Sequence, residues 1–317
     1  MKRISTAVRQ LACVALVVAS GCAPARFEGR RTSGDEEAYR EIVVGGETRS
    51  YLVHRPAVLA ATQRPPLFIV LHGTHGNAAG IAGTTGFNRA ADVRRFVVAY
   101  PNGTGFLRYL TWNTGRCCGS AMEAKANDVG FIHSMIQELV RTAKIDPRRV
   151  FVVGFSDGGM MAFRAGCDLS TEIAGLAIVA GRMPDTVCTA RRALPIIAFG
   201  GTADNDLATD HDRYTTPASF KYAFSLDSSL AFWARKSQCV ATPRVEARGI
   251  HHVVSYAACV PRAPIQYYKV QDAGHEWPGG ATAILQPSDS VTLPATQLIV
   301  DFLLQQRVRR RLLPGAL

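Results

Sequence analysis

Ser156 sits at the centre of Gly154-Phe155-Ser156-Asp157-Gly158, a G-x-S-x-G. A β-branched run over 150–153 precedes it, and small and apolar residues follow. That context reads as a strand running through a sharp turn into a helix. Such a turn strains the backbone of the serine, needs small neighbours in order to close, and lifts the hydroxyl above the sheet. The helix that follows aims free N–H groups at the same point. A serine hydroxyl is a weak nucleophile until a neutral imidazole takes its proton, and the imidazole needs a carboxylate to fix its tautomer and stabilise the imidazolium. Both groups stand downstream, in Gly200-Gly201-Thr202-Ala203-Asp204 and in Gln271-Asp272-Ala273-Gly274-His275-Glu276-Trp277. Asp204 is the candidate acid, with Asp206 close enough to compete but farther from the strand end. His275 is the candidate base, in competition with His72, His211, His251 and His252. His72 adjoins a glycine turn, where it would brace a loop, and His251 and His252 lie in a β-like run.

An oxyanion on the attacked carbonyl needs two backbone donors. The Asp157 N–H, next to the nucleophile, is one. The other is expected from the loop after His72-Gly73, most simply from Thr74. The Asp157 side chain would bring an unhelpful charge to this place unless it turns outward or caps the helix. Trp112 and Trp277 are either core or substrate-facing, and the closeness of Trp277 to His275 points to the cleft wall.

Four strand ends must converge for this chemistry. The apolar run 67–71 ends at His72-Gly73-Thr74, 150–153 at Ser156, 195–199 at Asp204 and 265–270 at His275. A further buried run covers 96–100. Asn127-Asp128 can cap a helix over 129–144, with Ile132, Met135, Ile136, Leu139 and Val140 on one face. Residues 175–180 form another strand, and 226–236 and 295–306 read as helices. Residues 42–44 and 49–54 flank Gly45-Gly46 as a hairpin at an antiparallel edge. Buried strands alternating with helices predict a mostly parallel, doubly wound sheet with helices on both faces. Functional residues gather at the carboxyl ends of such strands, and the order serine, acid, histidine is that of an α/β-hydrolase.

The 317 residues suffice for one large α/β domain, expected over 41–306. The net charge of +11 is concentrated partly at the ends, in Lys2, Arg3 and Arg9 and in the basic tail over 307–317. No nucleic-acid module or basic helix with interleaved aromatics accompanies it, so the charge reads as a solvated surface and no nucleic-acid partner is expected. At the start, a charged region and an apolar segment over 11–18, too short to span a bilayer, make an export signal over 1–22. Ala19-Ser20-Gly21-Cys22 then resembles a lipobox that would lipidate Cys22, although Ala19 stands where leucine is usual; a plain signal cleaved near Ala23 or Ala25 is the alternative. The polar stretch 23–40 reads as a tether. A membrane is thus expected as a partner only through a lipid anchor, in an exported protein of the cell envelope or the extracellular space.

Besides Cys13 and Cys22, six cysteines remain. In an exported chain an even number favours disulfides, and their spacings fit no common zinc site, so no metal is expected. Cys239 follows a helix and Cys259 ends a β-like run, which predicts a Cys239–Cys259 bond. Cys117, Cys118, Cys167 and Cys188 share the rest, with Cys167–Cys188 the first choice.

The ordered motifs resemble a known family: His72-Gly73, Trp112-Asn113 ahead of Cys117-Cys118-Gly119, Asn127-Asp128-Val129-Gly130-Phe131-Ile132, Asp146-Pro147-Arg148-Arg149-Val150, Gly154-Phe155-Ser156-Asp157-Gly158-Gly159-Met160-Met161-Ala162 and Gly274-His275-Glu276-Trp277-Pro278-Gly279-Gly280. Over about 41–302 the chain is similar to the secreted esterases of the polyhydroxybutyrate depolymerase family, which includes feruloyl and acetyl-xylan esterases. The resemblance implies ester hydrolysis without a cofactor, on a small-molecule or polymeric ester, with Ser156 as nucleophile, Asp204 as acid and His275 as base. Asp157 departs from the asparagine or alanine that many members carry. The acid loop lacks the usual proline-rich continuation, and no polymer-binding module is present, which puts a solid polymer in doubt. A serine peptidase of the same fold and a non-catalytic binding protein on this scaffold are the competing readings. Turnover of esters but not amides separates the first, and labelling of Ser156 by a fluorophosphonate separates the second.

Overall fold

Fully apolar five- and six-residue runs are what a strand buried on both faces requires, and such runs form the middle of the sheet. The computed structural model describes residues 36–60, 62–107, 109–115, 117–184, 187–204, 225–240, 242–249, 251–259, 263–281 and 293–308. Cys22 with the expected leader, Asp206, His211 and the tail beyond residue 308 lie outside the described residues.

An antiparallel hairpin opens the described chain, β1 (Glu36–Val44) and β2 (Glu47–Arg55), closed by Gly45-Gly46 with φ of 60° and 90°. Two left-handed residues in succession suit the tight turn whose twist matches the strands, and glycine adopts them without strain. β1 starts ahead of residue 41, where the domain was expected to begin, so residues 36–40 are strand and not tether. As an outermost strand, β1 is mostly solvent-facing, and its charged residues carry no apolar signal of a strand.

Then follow β3 (Leu67–Leu71), α1 (Ala78–Thr85), α2 (Phe87–Arg94), β4 (Val97–Pro101), β5 (Thr104–Phe106), β6 (Tyr109–Thr111), α3 (Gly119–Glu123) and α4 (Asp128–Thr142). The second half contains β7 (Val150–Phe155), α5 (Asp157–Asp168), β8 (Gly175–Val179), β9 (Ile196–Gly201), α6 (Leu226–Lys236), β10 (Arg244–Arg248), β11 (His251–Tyr256), β12 (Ile265–Val270) and α7 (Ala295–Leu304). The main sheet has the order β1-β2-β4-β3-β7-β8-β9-β12-β11-β10, and β5 and β6 form a separate small hairpin. The six strands from β4 to β12 run parallel, and antiparallel strands complete the sheet at both ends. Helices cover the sheet, with α2 packed beside α7 and α4 beside α5. In the core, the Phe68 ring lies 4.4 Å from Phe96, 4.9 Å from Phe151 and 5.6 Å from Phe87 between centroids.

Three disulfides link Cys117 with Cys118, Cys167 with Cys188, and Cys239 with Cys259. The last ties the residues after α6 to those after β11, on the route to β12 and His275. Replacing Cys239 and Cys259 by serine together is expected to lower unfolding stability by about 2–4 kcal/mol, through the chain entropy regained by the unfolded state. Urea unfolding of the oxidised proteins measures this, and an unchanged midpoint would show that the bond contributes nothing.

Candidate active site

The sharp turn after β7 is forced by backbone crowding. A Cβ at Gly154 would stand 2.0 Å from the Gly158 carbonyl oxygen, and one at Gly158 would stand 2.5 Å from the carbonyl oxygens of Leu71 and His72. Between them Ser156 has φ 54° and ψ −120°, a strained conformation for a residue with a side chain. Its N–H donates to the Val179 carbonyl at 2.9 Å, which fastens the turn to β8. Asp157 then begins α5.

The ends of β9 and β12 meet this turn. Ser156 Oγ lies 2.8 Å from His275 Nε2, and His275 Nδ1 lies 2.9 Å from Asp204 Oδ2. Asp204 is fully buried. Its carboxylate accepts the Nδ1 proton, which leaves Nε2 as the acceptor facing the serine hydroxyl. The imidazole also rests against Phe155, with ring centroids 5.3 Å apart. The structure therefore brings Ser156, Asp204 and His275 into one chain of hydrogen bonds.

The loop after β3 crosses close over the nucleophile: a Cβ on Gly73 would stand 3.1 Å from that of Ser156. His72 anchors the loop. Its Nδ1 donates to the Gly73 carbonyl at 2.7 Å, its Nε2 accepts from the Gly103 N–H at 3.0 Å, and its own carbonyl accepts from the Trp112 indole at 2.9 Å. Burial pulls the His72 pKa down to about 4, so the ring is neutral and serves as a brace. Among the described residues, the amides of Thr74 and Asp157 find no acceptor. Two free N–H groups beside a nucleophile are what an oxyanion requires.

The Asp157 side chain neither turns outward nor caps α5. It points inward, is 2% exposed, and accepts the Trp112 N–H at 3.0 Å. Beside it, buried Asp128 accepts the Asn113 N–H at 2.7 Å and pairs with Arg49 at 2.6 Å. Sequence reasoning read Asp128 only as part of a helix cap, a task Asn127 performs with a bond from the Gly130 N–H. The pairing with Arg49 is remote in sequence and leaves no local signal.

Trp112 and Trp277 do not line the cleft; both are buried in the core. After His275 the chain turns inward, so Trp277 packs on Phe87 and its indole N–H donates to Thr296 Oγ1 at 3.0 Å. The open space lies on the other side. A cavity of about 480 Å³ runs from His275, Glu276 and Phe155 along the 72–77 loop to Gly80, Ile81 and Thr84 of α1.

Residues 49–231 match the family model described as Esterase PHB depolymerase. Over 287 residues the chain is 30% identical to a protein described as an esterase, NocK, from Nocardia uniformis subsp. tsuyamanensis, which covers 84% of this chain and 82% of that one. It is 27% identical over 233 residues to feruloyl esterase B from Piromyces equi, covering 72% of this chain and 42% of the relative. The fold is similar to that of acetyl xylan esterase from Aspergillus awamori, with a TM-score of 0.56 at 14% identity over 76% of this chain and 95% of that one. With a parallel sheet of this topology, a family match across more than half its length and relatives that are esterases, the chain belongs to the Esterase PHB depolymerase family and is a carboxylic ester hydrolase.

Proposed function

We propose that the protein is an exported serine esterase acting through an acyl-enzyme on Ser156. The observation that carries this reading is the linked pair of short contacts, Ser156 to His275 at 2.8 Å and His275 to Asp204 at 2.9 Å. In the first half-reaction His275 Nε2 takes the hydroxyl proton as Ser156 Oγ attacks the ester carbonyl. The oxyanion is received by the amides of Thr74 and Asp157. Collapse expels the alcohol, which leaves with the proton from His275. In the second half-reaction water loses a proton to His275 and attacks the acyl-enzyme, and collapse returns that proton to Ser156 Oγ and frees the acid. Asp204 holds the imidazole and stabilises its cationic form throughout.

The substrate class proposed is a carboxylic ester of the feruloyl, acetyl or hydroxyalkanoate kind. The feruloyl esterase among the relatives supports it, and the mixed polar and apolar cavity beside Ser156 has room for such groups. A fluorophosphonate should label Ser156, and a panel of p-nitrophenyl and feruloyl esters should be turned over while matched amides are not. An unlabelled Ser156 in folded protein would end the serine-esterase reading.

Export and lipid anchoring rest on the sequence before residue 36. No described helix is long and apolar enough to cross a membrane. Cys22→Ala is expected to abolish incorporation of labelled fatty acid and to release the protein from the envelope, since two or more acyl chains hold far better than one. Wild-type protein that takes up no label would remove the anchor.

A further inference from the structure

We propose that Asp157 is a second pH-setting group of this site: as a neutral acid it leaves the adjoining oxyanion hole effective, and as a carboxylate it opposes the charge that develops there. The inference rests on the serine-esterase reading above. Asp157 contributes twice to one small volume. Its backbone N–H is one of the two free amides next to Ser156, and its side chain folds back beneath the same turn. Oδ2 accepts from the Trp112 N–H, while Oδ1 is fully buried without a hydrogen-bond partner. The Thr74 side chain, whose residue supplies the other free amide, stands beside this carboxyl.

The surroundings decide the charge state. From α4, Asp128 faces Asp157, and Arg49 of β2 pairs with Asp128. From the loop after β3 come Thr74 and the neutral His72. The sulfurs of Cys117 and Cys118 lie within 4.8 Å of the carboxyl and, being joined, do not titrate. His275 faces the site from across Ser156. Three groups favour the carboxylate, the Trp112 N–H, the Thr74 hydroxyl and the N-terminal end of α5. Burial, reinforced by Asp128, outweighs them and raises the Asp157 pKa to about 7. Above that pH a fixed negative charge lies next to the place where a second one must form, in surroundings that screen it poorly.

The sign of the effect follows. Activity rises with pH as His275 loses its proton and falls again as Asp157 loses its own. Asp157→Asn keeps an oxygen for the Trp112 N–H and carries no charge. Its kcat is expected to stay level above pH 8, where that of the wild type has fallen about tenfold, the effect of roughly 1.4 kcal/mol in the barrier. A merely structural role would shift kcat at every pH and leave the descending limb in place. Infrared difference spectra of Ser156→Ala, taken against Ser156→Ala with Asp157→Asn, supply a readout without turnover: a carboxylic-acid carbonyl band present at pH 6 and lost by pH 9. The same descending limb in wild type and Asp157→Asn overturns the inference, as does absence of the band at pH 6. If Asp157→Asn fails to fold, infrared spectra of Ser156→Ala at pH 6 and pH 9 decide alone. If the wild type turns over no ester, the serine-esterase reading fails, and the band still reports on Asp157 separately.

Discussion

Ser156→Ala is expected to leave almost no ester turnover, with kcat lowered on the order of 10⁶-fold, the size of the loss when a serine protease is deprived of its nucleophile. Alanine removes the oxygen that must bond to the acyl carbon and that stands 2.8 Å from His275 Nε2. His275→Ala should cost a similar amount, because the hydroxyl then has no base 2.8 Å away. The double variant should be little worse than either single one, since the two act as a unit. Initial rates with p-nitrophenyl esters measure this, with circular dichroism confirming the fold. Near-normal turnover in Ser156→Ala would remove the acyl-enzyme mechanism.

The second large effect is that of Asp204→Asn, with an expected loss of about 10⁴-fold in kcat. An amide can present its N–H₂ to His275 Nδ1, which favours the tautomer carrying the proton on Nε2. That tautomer cannot accept from Ser156. The substitution preserves size at a fully buried position, so the loss should fall on kcat while folding is kept. Asp206→Asn is the control and should cost far less. Collapse in that variant with near-normal turnover in Asp204→Asn would transfer the acid role to Asp206.

The strand ends carrying Ser156 and Asp204 were legible because buried parallel strands leave long apolar runs, whereas the strand before His275 mixes Gln266 and Lys269 among buried apolar and aromatic residues. Periodicity likewise indicated α4 and α6, whose buried positions recur along one face. The first part of β1, residues 36–41, and all of β10 escaped notice because both are solvent-facing edge segments rich in charge. α1 was illegible for another reason: Ala78–Thr85 is composed of alanine, glycine and threonine around one isoleucine, so it shows little contrast between its faces. The burial of Trp112 and Trp277 could not be read, because nearness in sequence to a functional residue does not say which way the next residues turn. The same holds for the inward carboxyl of Asp157, which depends on a loop 45 residues away in sequence.

Among the described residues the sheet ends at β1 and β10, and an open end offers its unused amides to any passing chain, including another molecule of the same protein. β10 is one such border, with the sequence Arg244-Val245-Glu246-Ala247-Arg248. Its charges read the same in both directions. If two molecules met border to border, antiparallel and in full register, Glu246 would lie opposite Glu246 and Arg244 opposite Arg248, two kinds of like-charge encounter on one face. Slipping by two residues to bring opposite charges together runs either Pro243, which has no N–H to give, or the left-handed turn at Gly249 into the ladder. Within a single molecule the same three side chains are at peace, since Glu246 lies 2.8 Å from Arg244 and 3.5 Å from Arg248. A palindrome of charge thus discourages this border from joining molecules end to end into fibres.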